Sequence, residues 1–217
     1  LKTPLAAIRL LTDSILQTEN MDPETTREFV SDIGSEAERL TRITEDLLRL
    51  TRLDSGVLEP PTVVDVLPVL EQVMRMMSLV AQEKEIDLTY RASEGCTVLA
   101  TKDEIHQIIY NLTDNAVKYS PPHSSVLVTL SRAGEQVELT VEDNGSGIPE
   151  EDLPRIFERF YRVDKARSRA AGGTGLGLSI VSDTVKRRGG TVEAGNRPGG
   201  GAVFTVRWPW RKEGESL

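Results

Sequence analysis

Apolar residues first recur at steps of three and four. Leu1, Leu5, Ile8, Leu11 and Ile15 make one such series, and Val30, Ile33, Ala37, Leu40, Ile43, Leu47 and Leu50 make a second, with charged residues between. That spacing places each series on one face of a helix. The turn-like Glu19-Asn20-Met21-Asp22-Pro23 separates them, and Asp22 before Pro23 reads as a cap followed by a first-turn proline. Gly56 ends the second helix and Pro60-Pro61 marks a linker. Two amphipathic helices cannot close a core alone, so the hairpin is expected to dimerise into a four-helix bundle. The alternative is that it packs on whatever follows.

From about Thr62 the texture changes. Val66 to Glu83, Lys102 to Tyr119 and Gly177 to Arg188 read as helices, the second with Ile105, Ile109, Leu112 and Ala116 inward and the third ending at Gly189-Gly190. Ile86 to Ala92, Ser125 to Leu130, Gln136 to Glu142, Thr191 to Ala194 and Ala202 to Arg207 alternate like strands. The mixture predicts an α+β sandwich, a mixed sheet with helices on one face. The expected organisation is a helical hairpin over 1–57, a linker over 58–62, a second domain over 63–210 and a frayed tail over 211–217. There is no internal repeat.

Composition narrows the partners. The 217 residues hold 26 Lys+Arg against 34 Asp+Glu, and a net charge of −8 argues against nucleic acid, which calls for a clustered basic surface. The single cysteine, Cys96, cannot form an internal disulfide and reads as a small buried apolar residue. No run approaches the roughly 18 apolar residues of a membrane span, and no signal peptide is expected. The first residue is Leu1, inside an uncapped helical pattern, so the chain is expected to be a piece of something longer. Trp208 and Trp210 suggest strand-end packing rather than a membrane belt.

Three clusters carry candidate chemistry. Asn111, Asn115 and Lys118 fall at i, i+4 and i+7 of one helix, on one face beside the core stripe. Asparagine is disfavoured inside helices, so two in register suggest a cleft wall with amide oxygens free for a metal, or else a solvated polar face. Asp143-Asn144-Gly145-Ser146-Gly147-Ile148 follows a strand, and its glycines allow close backbone approach to a ligand; a plain strand-exit turn is the competing reading. Gly172-Gly173-Thr174-Gly175-Leu176-Gly177-Leu178 opens a helix, offering N–H groups and a favourable dipole to phosphate. It is neither a Walker loop, lacking the Lys-Ser/Thr, nor a dinucleotide fingerprint, because Leu178 stands where the third glycine belongs. The stretch from Arg167 to Gly173 reads as a lid.

Taken in order, Asn-x3-Asn-x2-Lys-Tyr, Asp-x-Gly-x-Gly and Gly-x-Gly-x-Gly resemble the ATP-binding domain of sensor histidine kinases, which belong with gyrase, a heat-shock chaperone and the mismatch-repair ATPases. Arg155-Ile-Phe-Glu-Arg-Phe-Tyr-Arg162 is similar to the phenylalanine box that the kinases alone carry, and Leu1-Lys-Thr-Pro-Leu5 resembles the residues just after the phosphoacceptor histidine. The resemblance runs from about 1 to 209 and implies ATP and Mg²⁺ as ligands. Asn115 corresponds to the Mg²⁺ ligand. Asn111 stands where water-activating relatives have glutamate, and an amide cannot take a proton from water.

By the same resemblance Lys118 meets phosphate or ribose, Tyr119 stacks on adenine and Asp143 holds its amino group, with Gly145 and Gly147 leaving room. Arg162 neutralises the γ-phosphoryl group. Gly173, Gly175 and Gly177 line the triphosphate, and Ile148, Thr174, Leu176 and Leu178 join them as nucleotide contacts. Thr3, four places after the expected histidine, implies a phosphatase role toward a response-regulator receiver domain, the expected partner beside a second copy of the chain.

The acceptor histidine and its glutamate are expected just before Leu1. His106 and His123 match no acceptor box and are expected to be solvated. A pseudokinase-like binding module is the alternative if other residues precede Leu1, and an ATPase of the gyrase type predicts glutamate at 111. The resemblance further implies the cytoplasmic end of a bacterial inner-membrane protein.

Overall fold

In the computed structural model, residues 2–18, 20–55, 59–163 and 174–212 are described, and for 2–3 and 52–55 the backbone alone. Helix α1 (Lys2–Gln17) and helix α2 (Pro23–Ser55) form the hairpin. Asp22 caps α2 as its sequence suggests: Oδ1 accepts from the Glu24 and Thr25 N–H groups at 3.0 and 2.9 Å. The predicted stripes are only half covered. Ile8, Leu11, Ile15, Ile33 and Leu40 are half-buried, while Leu5 and Val30 stay exposed.

The remainder runs β1 (Thr62–Asp65), α3 (Val66–Glu83), β2 (Asp87–Ala92), β3 (Thr97–Ala100), α4 (Lys102–Tyr119), β4 (Ser125–Ala133), β5 (Gln136–Asp143), α5 (Gly177–Arg187), β6 (Thr191–Asn196) and β7 (Ala202–Pro209). The sheet has the order β2-β4-β5-β7-β6, with β2 and β4 parallel and every other neighbour antiparallel. Alternation of buried residues with more open ones along β5 and β7 shows one face of the sheet covered, by the helices. Val128, Leu139, Val141 and Val206 meet Leu70, Ile105, Ile109 and Leu112 in one continuous core, which is the α+β sandwich that the alternation predicts.

Two features depart from expectation. Thr62 is not linker but the first residue of β1, which pairs antiparallel with β3 in a small second sheet. Both strands span only four residues and have too few alternations to stand out in the sequence. The expected frayed tail is also anchored at its start. The Arg211 N–H donates to the Thr97 carbonyl at 3.0 Å, the Thr97 hydroxyl donates to the Arg211 carbonyl, and Trp210 bridges to Val98. Arg132 lies 3.5 Å above the Trp210 ring, and Trp208 is buried.

Helix α4 is fixed at both levels that matter for the site. Thr101 and Glu104 form a capping box, with Thr101 Oγ1 accepting from the Glu104 N–H at 3.2 Å and Glu104 Oε2 from the Thr101 N–H at 2.9 Å. The same carboxylate receives Arg188 in two hydrogen bonds of 2.9 and 2.7 Å, tying the end of α5 to the start of α4.

Candidate functional site

The 3.6-residue period puts Asn111, Asn115 and Lys118 one above another on the flank of α4, beside rather than within its buried stripe. They form one wall of a cleft of about 520 Å³, within the range of small-molecule sites. Tyr119 continues that wall. Asp143, Gly147 and Ile148 enter from the β5 exit, Arg162 from the phenylalanine segment, and Thr174, Gly175, Gly177 and Leu178 from the start of α5. Residues from four separate stretches of sequence therefore converge on one cavity.

The floor at Asp143 is tightly built. The residue is 4% exposed, and Oδ1 accepts from the Gly145 and Ala202 N–H groups at 2.8 and 3.1 Å. Its own carbonyl packs where a Cβ on Gly201 would lie, 1.9 Å away, and Gly201 has φ +88°. Gly145 does not line the cavity. Its backbone passes so close to the Tyr119 carbonyl that a Cβ would come within 2.7 Å, so its absent side chain serves packing rather than ligand room.

At the other end, Gly175 has φ +76° and lies against the Phe160 backbone, whose N–H donates to the Gly175 carbonyl at 2.8 Å. Phe160 is itself at φ +65°, an uncommon conformation for a bulky residue. Leu176 does not face the cavity either. It is fully buried with Ile180 against Leu50 and Leu47 of α2, an apolar seam between hairpin and second domain. Thr3 is described only in its backbone, and Gly173 with the whole 164–173 stretch lies outside the described residues.

Family comparisons match two separate stretches of the chain. Residues 100–212 match the family model of the histidine kinase-, DNA gyrase B-, and HSP90-like ATPases, and residues 1–56 match the His Kinase A (phospho-acceptor) domain. The chain belongs to this ATPase family, on its histidine kinase branch. The sensor-like histidine kinase SenX3 of Mycolicibacterium smegmatis is 36% identical over 100% of the chain and 56% of its own length. The chain spans about half the length of the curated relatives it matches. Full-length ShkA, crystallised in complex with AMPPNP, matches 96% of this chain and 43% of that one, with a TM-score of 0.72 and 32% identity. The fold is shared also with ThkA, crystallised in complex with the response regulator protein TrrA, at a TM-score of 0.78 and 23% identity over 99% of this chain and 60% of that one.

In this histidine kinase core, the cleft holds residues that the motifs did not mark. Helix α2 contributes Arg42, Glu45, Asp46 and Arg49. The Thr174 hydroxyl donates to Asp46 Oδ2 at 2.7 Å and accepts the Leu176 N–H at 3.2 Å. Burial pushes the Asp46 carboxyl above its ordinary range, against the Thr174 hydrogen bond and Arg49, which favour the ionised form. His106, expected to be solvated, is half-buried on the wall of the open cleft, its ring stacked on Tyr110 with centroids 6.3 Å apart. Burial and the neighbouring Asp114 both raise the Tyr110 phenol.

Asn196 went equally unmarked. Its Oδ1 accepts from the Ile148 N–H and its Nδ2 donates to the Ile148 carbonyl, both at 2.7 Å, while Arg197 donates to the Asp143 carbonyl at 3.0 Å. The end of β6 thus holds the Asp143–Ile148 loop in place. A polar residue followed by Pro198 and three glycines was the signal available in the sequence.

Proposed function

We propose that this chain is the catalytic core of a sensor histidine kinase, transferring the γ-phosphoryl group of ATP to a histidine expected just upstream of Leu1, and from there to an aspartate of a response-regulator receiver domain. The observation that carries the reading is the shared cleft: the two asparagines, Lys118, the Asp143 loop and the α5 N-terminus meet there, and α2 of the acceptor hairpin lines the same space. ATP enters as substrate. Asp143 has one carboxylate oxygen engaged by backbone, which leaves the other to accept from the adenine amino group. Tyr119 supplies a ring face for the base. The Gly175 and Gly177 backbone and the α5 dipole face the triphosphate, with Lys118 and Arg162 adding positive charge. An imidazole nitrogen attacks the γ-phosphorus, the bond to the bridging oxygen breaks, and ADP leaves. Such transfer rests on positioning and charge neutralisation rather than on a protein base.

Mg²⁺ fits the donor set. Among the described residues there is no group of three His, Cys, Asp or Glu able to hold a metal. A single amide oxygen, that of Asn115, suits a hard ion that takes its other ligands from phosphates and water. Bound there, the ion would neutralise charge between phosphates. The exposed Leu5, Leu10, Leu16 and Val30 support a homodimer through the hairpin. Among the described residues no helix is long and apolar enough to cross a membrane; attachment to the cytoplasmic face of an inner membrane, through segments outside this chain, follows from the family resemblance, as does a Thr3-dependent phosphatase activity.

The test uses the chain with its native preceding residues and radiolabelled ATP. An acid-labile, base-stable phosphoprotein is expected, lost in Asn115→Ala together with Mg²⁺-dependent nucleotide binding. An acid-stable label, or unchanged ATP affinity in the variant, overturns the assignment.

A further inference from the structure

Two amides on the cleft wall of α4 form a chain that ends on the first residue of α5. Gln107 Nε2 donates to Asn111 Oδ1 at 2.8 Å, and Asn111 Nδ2 donates to the Gly177 carbonyl at 3.1 Å. The last acceptor decides every orientation before it. A backbone carbonyl can only accept, so Asn111 must present its nitrogen to Gly177 and its oxygen to Gln107, and Gln107 must then present its nitrogen. The packing is equally close: a Cβ on Gly177 would lie 3.5 Å from Asn111 Cγ. Each hydrogen-bonding end of Asn111 thus has one partner inside the protein.

We infer that Gln107 is a positioning residue for the nucleotide site, acting through Asn111 to hold the N-terminus of α5 at its place on the cleft wall. Without a donor at 107, Asn111 Oδ1 loses its protein donor, the amide is freer to rotate, and the tie from the Gly177 carbonyl to α4 weakens. The glycine backbone whose N–H groups face the phosphates then shifts or frays. A carboxylate at 111 could not do this work, because it would set an acceptor against the Gly177 carbonyl. Asparagine at this position is therefore a mechanical requirement of the α4–α5 junction as well as a means of keeping a water-activating base out. The inference rests on the nucleotide reading above and adds to it a residue that belongs to none of the three motif clusters.

The experiment is a double-mutant cycle on the full chain, with a Mg²⁺-bound non-hydrolysable ATP analogue as probe and the Asn111 side-chain amide signals in nitrogen-15 spectra as the second readout. Gln107→Met keeps the volume and removes the donor. It is expected to weaken analogue binding about five-fold, the value of one neutral hydrogen bond, and to speed exchange of the Asn111 amide protons. In an Asn111→Ala background the same substitution is expected to cost nothing further. Equal losses in both backgrounds would mean that Gln107 touches the nucleotide itself, and an unchanged affinity or an unchanged Asn111 signal would mean that it positions nothing; each overturns the inference. Gln107→Lys retains a donor and is expected to restore Asn111 protection. Failure to do so overturns the relay even if the Met variant does not fold. The amide exchange is measured without nucleotide, so a chain that bound no analogue at all would sink the nucleotide reading while leaving the relay separately testable.

Discussion

Gly201 shows how much a single residue decides at this site. At φ +88° an L side chain is strained, and a Cβ would sit 1.9 Å from the Asp143 carbonyl oxygen. The Gly201→Ala change must therefore move Asp143, whose carboxylate also accepts the neighbouring Ala202 N–H. A loss of about 2 kcal/mol in stability is expected, with weaker nucleotide binding, by denaturant titration and analogue binding on the same sample. Unchanged values in both would remove Asp143 from the floor of the site. At this scale the sequence was legible where a residue type is rare in its setting: asparagine inside a helix, or glycine straight after a strand. It was silent about Gly201, Asn196 and Gln107, whose partners lie on other elements. A glycine run looks the same whether it is a linker or the only backbone that fits against the Asp143 main-chain carbonyl.

Helices and the longer strands were legible because each holds enough periods to declare its face. Helices α3 and α4 run over the residues that the pattern marks, and strands such as β5 and β7 extend only a little past theirs. What periodicity cannot report is which element sits against which. The docking of α2 on α5 is the clearest case, joining Leu47 and Leu50 to Leu176 and Ile180 and Asp46 to Thr174. This contact carries a pH dependence. Burial raises the Asp46 carboxyl in the docked state above its ordinary 3.8, so docking favours the protonated form. That contribution is present in full below 3.8 and is lost as pH rises through the raised value. Spin labels at the exposed Glu38 of α2 and Glu193 of β6 should therefore report a longer or broader distance as pH climbs out of the acid range. Asp46→Asn, which can still accept from Thr174 but cannot ionise, should flatten the response. A profile that persists in Asp46→Asn would assign it to another group.

For the molecule as a whole, the hairpin is covered at one end and open at the other. Its far end, around Leu47 and Leu50, is covered by the second domain. Towards the α1–α2 turn, Leu10 is 68% exposed, Leu16 78% and Val30 56%, and a shallow groove runs between Ala7, Leu10, Asp32 and Ser35. Packing on the second domain thus closes one length of these helices, and the proposed second copy has only the remaining length to cover. Leu10→Glu tests this division. An exposed substitution of this kind changes the stability of a lone hairpin by no more than about 0.5 kcal/mol. In a four-helix bundle it places an unpaired charge between packed stripes. Sedimentation should show the variant as a monomer where the unaltered chain is a dimer, while analogue binding to the cleft, which only the Arg42–Arg49 end of α2 lines, stays within two-fold. A dimer of undiminished strength would mean that the exposed leucines are solvated, and that the assembly, if any, is built on another face.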